Sequence, residues 1–256
     1  MEASAMIQSV RSNGGLSQAD LARMAGVAAS TVGRIERAEL EPTWSVMNRL
    51  LTSAGYRPTD GLDPAGDVSA VAAARATLGE LPVSDLDDRA RAWVERWTRA
   101  NFVDRSGRAT NVEKVGVQAG NASRLFSRPN PRLSVVYDRP WQAVAADLRA
   151  SGVFYAVSGI TATSPTRVHD GAGWPLIYVD SVTSAVAAAK LREQRTSGPR
   201  ITLMKFDDVA ATGVVEDNGI AFVSEGQALI DSYAGPGRMA DQADSVAARW
   251  QTSRAA

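Results

Sequence analysis

Cysteine is absent from the 256 residues, which excludes disulfides, thiol nucleophiles and cysteine-based zinc sites. One histidine, His169, excludes a cluster of imidazole ligands, and no hydroxyl stands at triad-like spacing from it. Lysine is scarce, occurring only at 114, 190 and 205, so arginine supplies nearly all the positive charge. Aromatic residues make up 6%. No apolar run reaches membrane-spanning length and no secretory signal is seen, so a cytoplasmic protein with no membrane partner is expected.

Apolar residues make up 45% of the chain, enough for two or three units with real cores. Formal net charge is zero, yet it is unevenly divided. Residues 1–58 carry six basic and five acidic side chains, residues 89–149 twelve and five, and residues 150–256 nine and eleven. The positive middle suits a polyanion, because attraction to phosphates is the sequence-independent part of nucleic-acid affinity.

Residues 17–37 read SQADLARMAGVAASTVGRIER. Ser17 is a good N-cap and Asp20, three residues on, can close a capping box. Leu21, Ala22 and Ala25 follow at helical spacing. Gly26 permits the left-handed turn that ends a helix, and Val27 plugs the angle to the next one. That helix starts near Ala28, with Val32 and Ile35 inward and Ser30, Thr31 and Arg34 outward. The pattern predicts a helix-turn-helix whose second helix enters a major groove. Residues 5–57 resemble the lambda-repressor/Cro-type helix-turn-helix domain through Ser17-Gln18, Leu21-Ala22, Gly26-Val27, Arg34-Ile35-Glu36 and Glu41-Pro42-Thr43. The family has Ser or Thr where Ala28 stands and Gly where Ala38 stands. The resemblance implies contacts to double-stranded operator DNA from Gln18, Ala29, Ser30, Thr31, Arg34 and Arg37. It also implies a palindromic operator and a homodimer on DNA.

Residues 53–67, rich in Gly, Pro and Asp, read as a linker. Val68–Leu78 is Ala-rich and helical by pattern. From Arg89, Ala92, Trp93, Trp97 and Phe102 form a helical stripe that reads as core. Thr110 to Glu113 predicts a capping box, and Gly116-Val117 reads as a second interhelical turn. Gln118, Asn121, Ser123, Arg124 and Arg128 would then supply a second set of groups for bases or phosphates. With the alternating stretch Arg132–Tyr137 as a strand, residues 85–140 read as winged-helix-like. The alternative is a helical connector with solvated arginines.

Residues 141–152 read as an amphipathic helix. Strands are predicted at 153–159, 175–181, 200–206 and 219–225, a helix over 182–195, and two closing helices around 234–237. The fold class is therefore multidomain α+β, in four segments. Residues 1–58 form an all-α helix-turn-helix bundle, 59–84 a linker with a short helix, 85–140 the winged-helix-like segment and 141–256 a mixed α/β domain. Tyr155-Ala-Val-Ser-Gly-Ile-Thr-Ala162, Val223-Ser224, Gln227–Asp231, Gly235–Arg238 and Ala243 resemble, in order and spacing, elements of the AbiEi-family antitoxins. The resemblance runs over residues 85–250. It implies the antitoxin of a type IV toxin–antitoxin pair, which represses its own operon and counteracts a nucleotidyltransferase-like toxin. Which of the two helix-turn-helix patterns reads the operator stays open.

Catalytic residues, metal sites and cofactors are not expected. A nucleotidyltransferase needs a Gly-Ser turn followed by paired carboxylates, whereas Ser158-Gly159 has the reverse order. Asp207 and Asp208 are adjacent and point to opposite faces of a strand. Gly171–Trp174 reads as a turn, and no phosphate-cradling loop is present. Ser158, Gly159 and Asp231 read as scaffold, with Asp231 accepting from amides near Gly235. The competing functional reading is an adaptor whose C-terminal α/β domain binds a protein or small ligand, with DNA binding subordinate.

Overall fold

The computed structural model describes residues 2–59, 61–137, 139–163, 175–191, 200–236 and 239–255. His169, the Gly171–Trp174 turn and the far end of the helix expected to reach Arg195 lie outside the described residues. The fold is α+β and divides into two compact units, Met1–Arg128 with Tyr233–Ala256, and Pro129–Ser232. The divisions fall at 128/129 and 232/233, not at the boundaries of an independent segment over 85–140.

The first unit opens with four helices, α1 (Ala3–Asn13), α2 (Gln18–Ala25), α3 (Ala29–Glu36) and α4 (Trp44–Ser53). Ile7, Val10, Leu21, Val32, Ile35 and Leu50 are fully buried among them. Burial of side chains of this size contributes about 1.5–3 kcal/mol each, which drives the four helices together. The stretch expected to be a linker is folded. It forms the antiparallel pair β1 (Tyr56–Pro58) and β2 (Leu62–Pro64), in the register Tyr56↔Pro64. Its small residues serve close approach: a Cβ on Gly66, which has φ +66°, would lie 2.0 Å from the Ser127 carbonyl oxygen. Asp67 N–H then donates to the Ala122 carbonyl at 2.8 Å, so this connection is pinned by the hydrogen bonds a free linker lacks.

Three further helices follow: α5 (Ser69–Thr77), α6 (Asp88–Arg99) and α7 (Val112–Ala122). Asp87 caps α6, and most of the stripe read as core is core: Trp93, Trp97 and Phe102 are buried, the two indoles 5.5 Å apart, while Ala92 is half-buried. Asn111, not Thr110, caps α7 by accepting from Lys114 N–H. The second helix-turn-helix does not form. Helix α7 runs unbroken through Gly116-Val117, because neither residue adopts the left-handed conformation that would end it. After it comes only the 3-10 turn Leu125–Ser127.

The expected wing is instead β3 (Arg132–Val136), the edge strand of the second unit's six-stranded mixed sheet. The other elements follow as α8 (Trp141–Ala150), β4 (Tyr155–Ser158), α9 (Ile160–Thr163), β5 (Leu176–Val179), α10 (Val182–Ala188), β6 (Arg200–Lys205), α11 (Asp208–Ala211), β7 (Val215–Asp217) and β8 (Ile220–Phe222). Strand order is β3-β6-β5-β4-β8-β7, with β6/β5 and β4/β8 parallel and the remaining pairs antiparallel. Strands β4 and β5 are buried along their length, which matches their near-continuous apolar runs. Helix α8 covers β4 and β8, setting Trp141 edge-on to Phe222 at 6.5 Å. Asp207 caps α11 by accepting from Ala210 N–H at 2.8 Å, a scaffold role.

Helix α12 (Glu225–Ala234) runs across the division at 232/233. The last helix, α13 (Met239–Ala255), packs on α7 in the first unit. Tyr233 donates to Asp244 at 2.8 Å, and Gln251 accepts from Val112 N–H at 2.9 Å.

Candidate nucleic-acid interface

Helices α2 and α3 are built by local chemistry. Ser17 Oγ accepts from Asp20 N–H and Asp20 Oδ2 accepts from Ser17 N–H, both at 3.0 Å, completing the capping box. Gly26, at φ 65° and ψ 41°, ends α2 in the left-handed region. Gly26 N–H donates to Arg23 O and Val27 N–H to Ala22 O, a Schellman motif. The motif recurs after α3: Ala38 N–H donates to Ile35 O at 2.9 Å and Glu39 N–H to Arg34 O at 2.8 Å. Here the left-handed residue is Ala38, with φ 56°. The family's glycine preference at this position therefore has a steric cause in this chain too.

Val32 and Ile35 anchor α3 and leave Ala29, Ser30, Arg34 and Arg37 exposed, with Thr31 half-buried beside them. Ser30, Arg34 and Arg37 stand at i, i+4 and i+7, so they share one face. Arg37 makes a bidentate pair with Glu39 at 2.7 and 2.9 Å. The hydrogen bond from Arg37 holds the Glu39 carboxyl below its ordinary range, and the charge of Arg34 adds to this. Gln18 is tied to α3 rather than standing free. Its amide donates to Glu36 Oε2 at 2.6 Å, and Arg11 donates to both oxygens of the same carboxylate. A second N–H of Gln18 remains for an outside acceptor.

The second set of expected DNA contacts is placed differently. Gln118, Asn121, Ser123 and Arg128 are buried, and Arg124 is half-buried. Gln118 donates to Gly14 O at 2.8 Å and Asn121 to Asn13 O at 2.7 Å, satisfying carbonyls at the end of α1. Ser123 donates back to Ala119 O, and Arg128 donates to Ser123 O at 2.7 Å. Arg124 donates to Asn121 Oδ1 at 2.9 Å. Gln118, Asn121, Ser123 and Arg128 serve folding, since a base edge cannot reach a side chain closed off from solvent. The resemblance between the two Gly-Val stretches does not extend to their conformation.

Two residues that sequence reasoning assigned only to the basic middle hold the reading module in place. Lys114 pairs with Asp20 Oδ2 at 2.8 Å, and Arg99 donates to Met24 O at 3.1 Å at the end of α2. Burial works to raise the Asp20 carboxyl, but hydrogen bonds from Lys114 and Ser17 outweigh it and hold the group below its ordinary value. No local signal points to a partner so far along the chain.

The family model described as a helix-turn-helix domain matches residues 4–60, which take in α1 to β1. No curated protein and no solved structure matches the chain. The match and the exposed face of α3 coincide, and they mark this protein as a DNA-binding regulator carrying a helix-turn-helix domain at residues 4–60.

Proposed function

We propose that the protein is a sequence-specific transcriptional repressor that reads an operator upstream of its own gene with α3. The observation that carries this is the Ser30/Arg34/Arg37 face, exposed on a helix that follows the Schellman turn closing α2 and ends in a second one. In this reading Arg34 donates to a guanine edge, Ser30 and Thr31 contact bases or phosphates, and Arg37 and Gln18 hold the backbone. Ala29 offers its methyl group to a thymine. The methyl groups of Ala28 and Ala29 leave few hydrogen-bonding groups at the tip, so discrimination rests on Arg34. A palindromic operator bound by a homodimer fits a module that reads one half-site.

The finer reading is the antitoxin of a type IV pair, acting against a nucleotidyltransferase-like toxin. Its support lies in the second unit. Ser158, from the Tyr-x-x-Ser-Gly stretch, donates to Asp231, from Leu-Ile-Asp, at 2.5 Å. Tyr178 and Gln227 donate to the same carboxylate at 3.1 Å. Two of the stretches that carry the resemblance, Tyr155–Ala162 and Gln227–Asp231, thus share one buried network.

A gel-shift titration against the DNA upstream of the gene tests the repressor reading, with Arg34→Ala and random DNA as comparisons. Operator binding is expected to weaken at least about tenfold in Arg34→Ala, with binding to random DNA much less affected. Equal affinity of the native chain for operator and random DNA would refute the reading. Co-expression with an adjacent nucleotidyltransferase-like gene tests the antitoxin role, and continued growth arrest would count against it.

A further inference from the structure

A cleft in the first unit lies between the end of α4 with β1 and one face of α6. Its volume is about 380 Å³, within the usual range for small-ligand sites. Tyr56, Pro58, Ala92 and Trp93 supply apolar surface, and Arg57 and Arg96 bring two guanidinium groups to it. The aromatic floor is fixed, because Trp93 donates to Asp67 Oδ2 at 3.0 Å and is buried.

The charge balance inside the cleft is uneven. Asp67 also accepts from Ser69 N–H and has Arg89 at 3.6 Å, while Asp88 is paired with Arg91 at 3.1 Å. Arg57 and Arg96 are left with no carboxylate within ion-pair distance among the described residues. Arg96 is half-buried, with its guanidinium carbon 4.6 Å from the centre of the Trp93 ring. Burial lowers its pKa from the ordinary value, the charge of Asp67 offsetting this in part. A partly desolvated guanidinium with a ring face beside it and Asp67 beyond ion-pair distance still has N–H groups to offer an acceptor. An anion supplies what is missing: an acceptor for the planar fork.

We infer that this cleft is a binding site for a small ligand with a phosphate or carboxylate head and a small apolar body. The head is held by Arg96 and Arg57, and the body lies against Pro58 and Ala92. The site goes beyond the DNA reading and does not depend on it.

Titration calorimetry of the full chain with phenyl phosphate tests the site without DNA, so it stands or falls separately from the repressor reading. Benzyl alcohol serves as the uncharged counterpart. Saturable one-to-one binding of phenyl phosphate is expected, with benzyl alcohol binding at least about tenfold more weakly, as loss of a charge-assisted hydrogen bond requires. Arg96→Gln should weaken phenyl phosphate at least about tenfold while leaving the thermal midpoint of the ligand-free protein unchanged or higher. Arg57→Gln, at an exposed position, serves as a second variant that does not touch the core. Absence of saturable binding, equal binding of benzyl alcohol, or full affinity in both arginine variants would overturn the inference.

Discussion

Ala38 carries a Cβ in a conformation that favours glycine, at φ 56° in the turn that ends α3. The left-handed region places Cβ against the following carbonyl, so Ala38→Gly is expected to stabilise the fold by about 1 kcal/mol. That corresponds to a rise of about 2–4 °C in the thermal midpoint, with operator affinity unchanged, and differential scanning fluorimetry with a gel shift checks both. Glu39 has the opposite bearing on function. Its carboxylate holds Arg37 and adds negative charge beside the reading face. Glu39→Gln frees Arg37, and operator binding should tighten about two- to fivefold at low salt, with the gain fading as salt rises. A salt-independent change, or a weaker complex, would mean that Glu39 positions Arg37 for DNA. The sequence shows that Arg37 and Glu39 are near one another, but only the Schellman turn brings their side chains into a bidentate pair.

Helix α7 is where local and distant chemistry part company. Its Gly116-Val117 matches the interhelical pattern in composition, yet a helix ends only where the backbone turns left-handed and the freed carbonyls find partners. At Gly26 both conditions are met; at Gly116 neither is, and α7 continues to Ala122. Its polar side chains then become fasteners for α1 and α2. The Lys114–Asp20 pair makes this attachment sensitive to pH. Because the folded-state pKa of Asp20 is depressed, its contribution is present above the unfolded carboxylate's value, about pH 4, and is lost as pH falls through the lower folded value. Lys114→Met removes one of the hydrogen bonds that depress it, so the stability lost on acidification below about pH 4 should be smaller than in the native chain. Thermal melts across the acid range measure this, and superimposable pH profiles would rule the pair out as a stabilising element.

Across the whole molecule, the reading module is part of a larger unit rather than a bead on a tether. Gly14, Asn13, Asp20 and Met24 all take hydrogen bonds from residues beyond 98. A fragment ending at residue 60 loses these partners, as well as the Asp67–Ala122 bond that holds the hairpin connection. It is expected to melt well below the full chain by circular dichroism, and an equal midpoint would show that the four helices suffice. The capping box, the left-handed glycine and the apolar faces of α2 and α3 were legible because each acts within a few residues, where side-chain chemistry determines backbone conformation. The runs that became β4, β5 and β6 were legible for a related reason, since buried strands need continuous apolar side chains. Strand order, the use of Arg132–Val136 as a sheet edge, and the conversion of a Gly-Pro-Asp stretch into a hairpin were not. Those outcomes depend on which distant carbonyl, carboxylate or sheet edge is left without a partner. The sequence by itself determined the helix-turn-helix and its exposed arginine face. Only the tertiary structure decided that Gln118, Asn121, Ser123 and Arg128 face inward, because burial is settled by what packs above a residue and not by its neighbours along the chain.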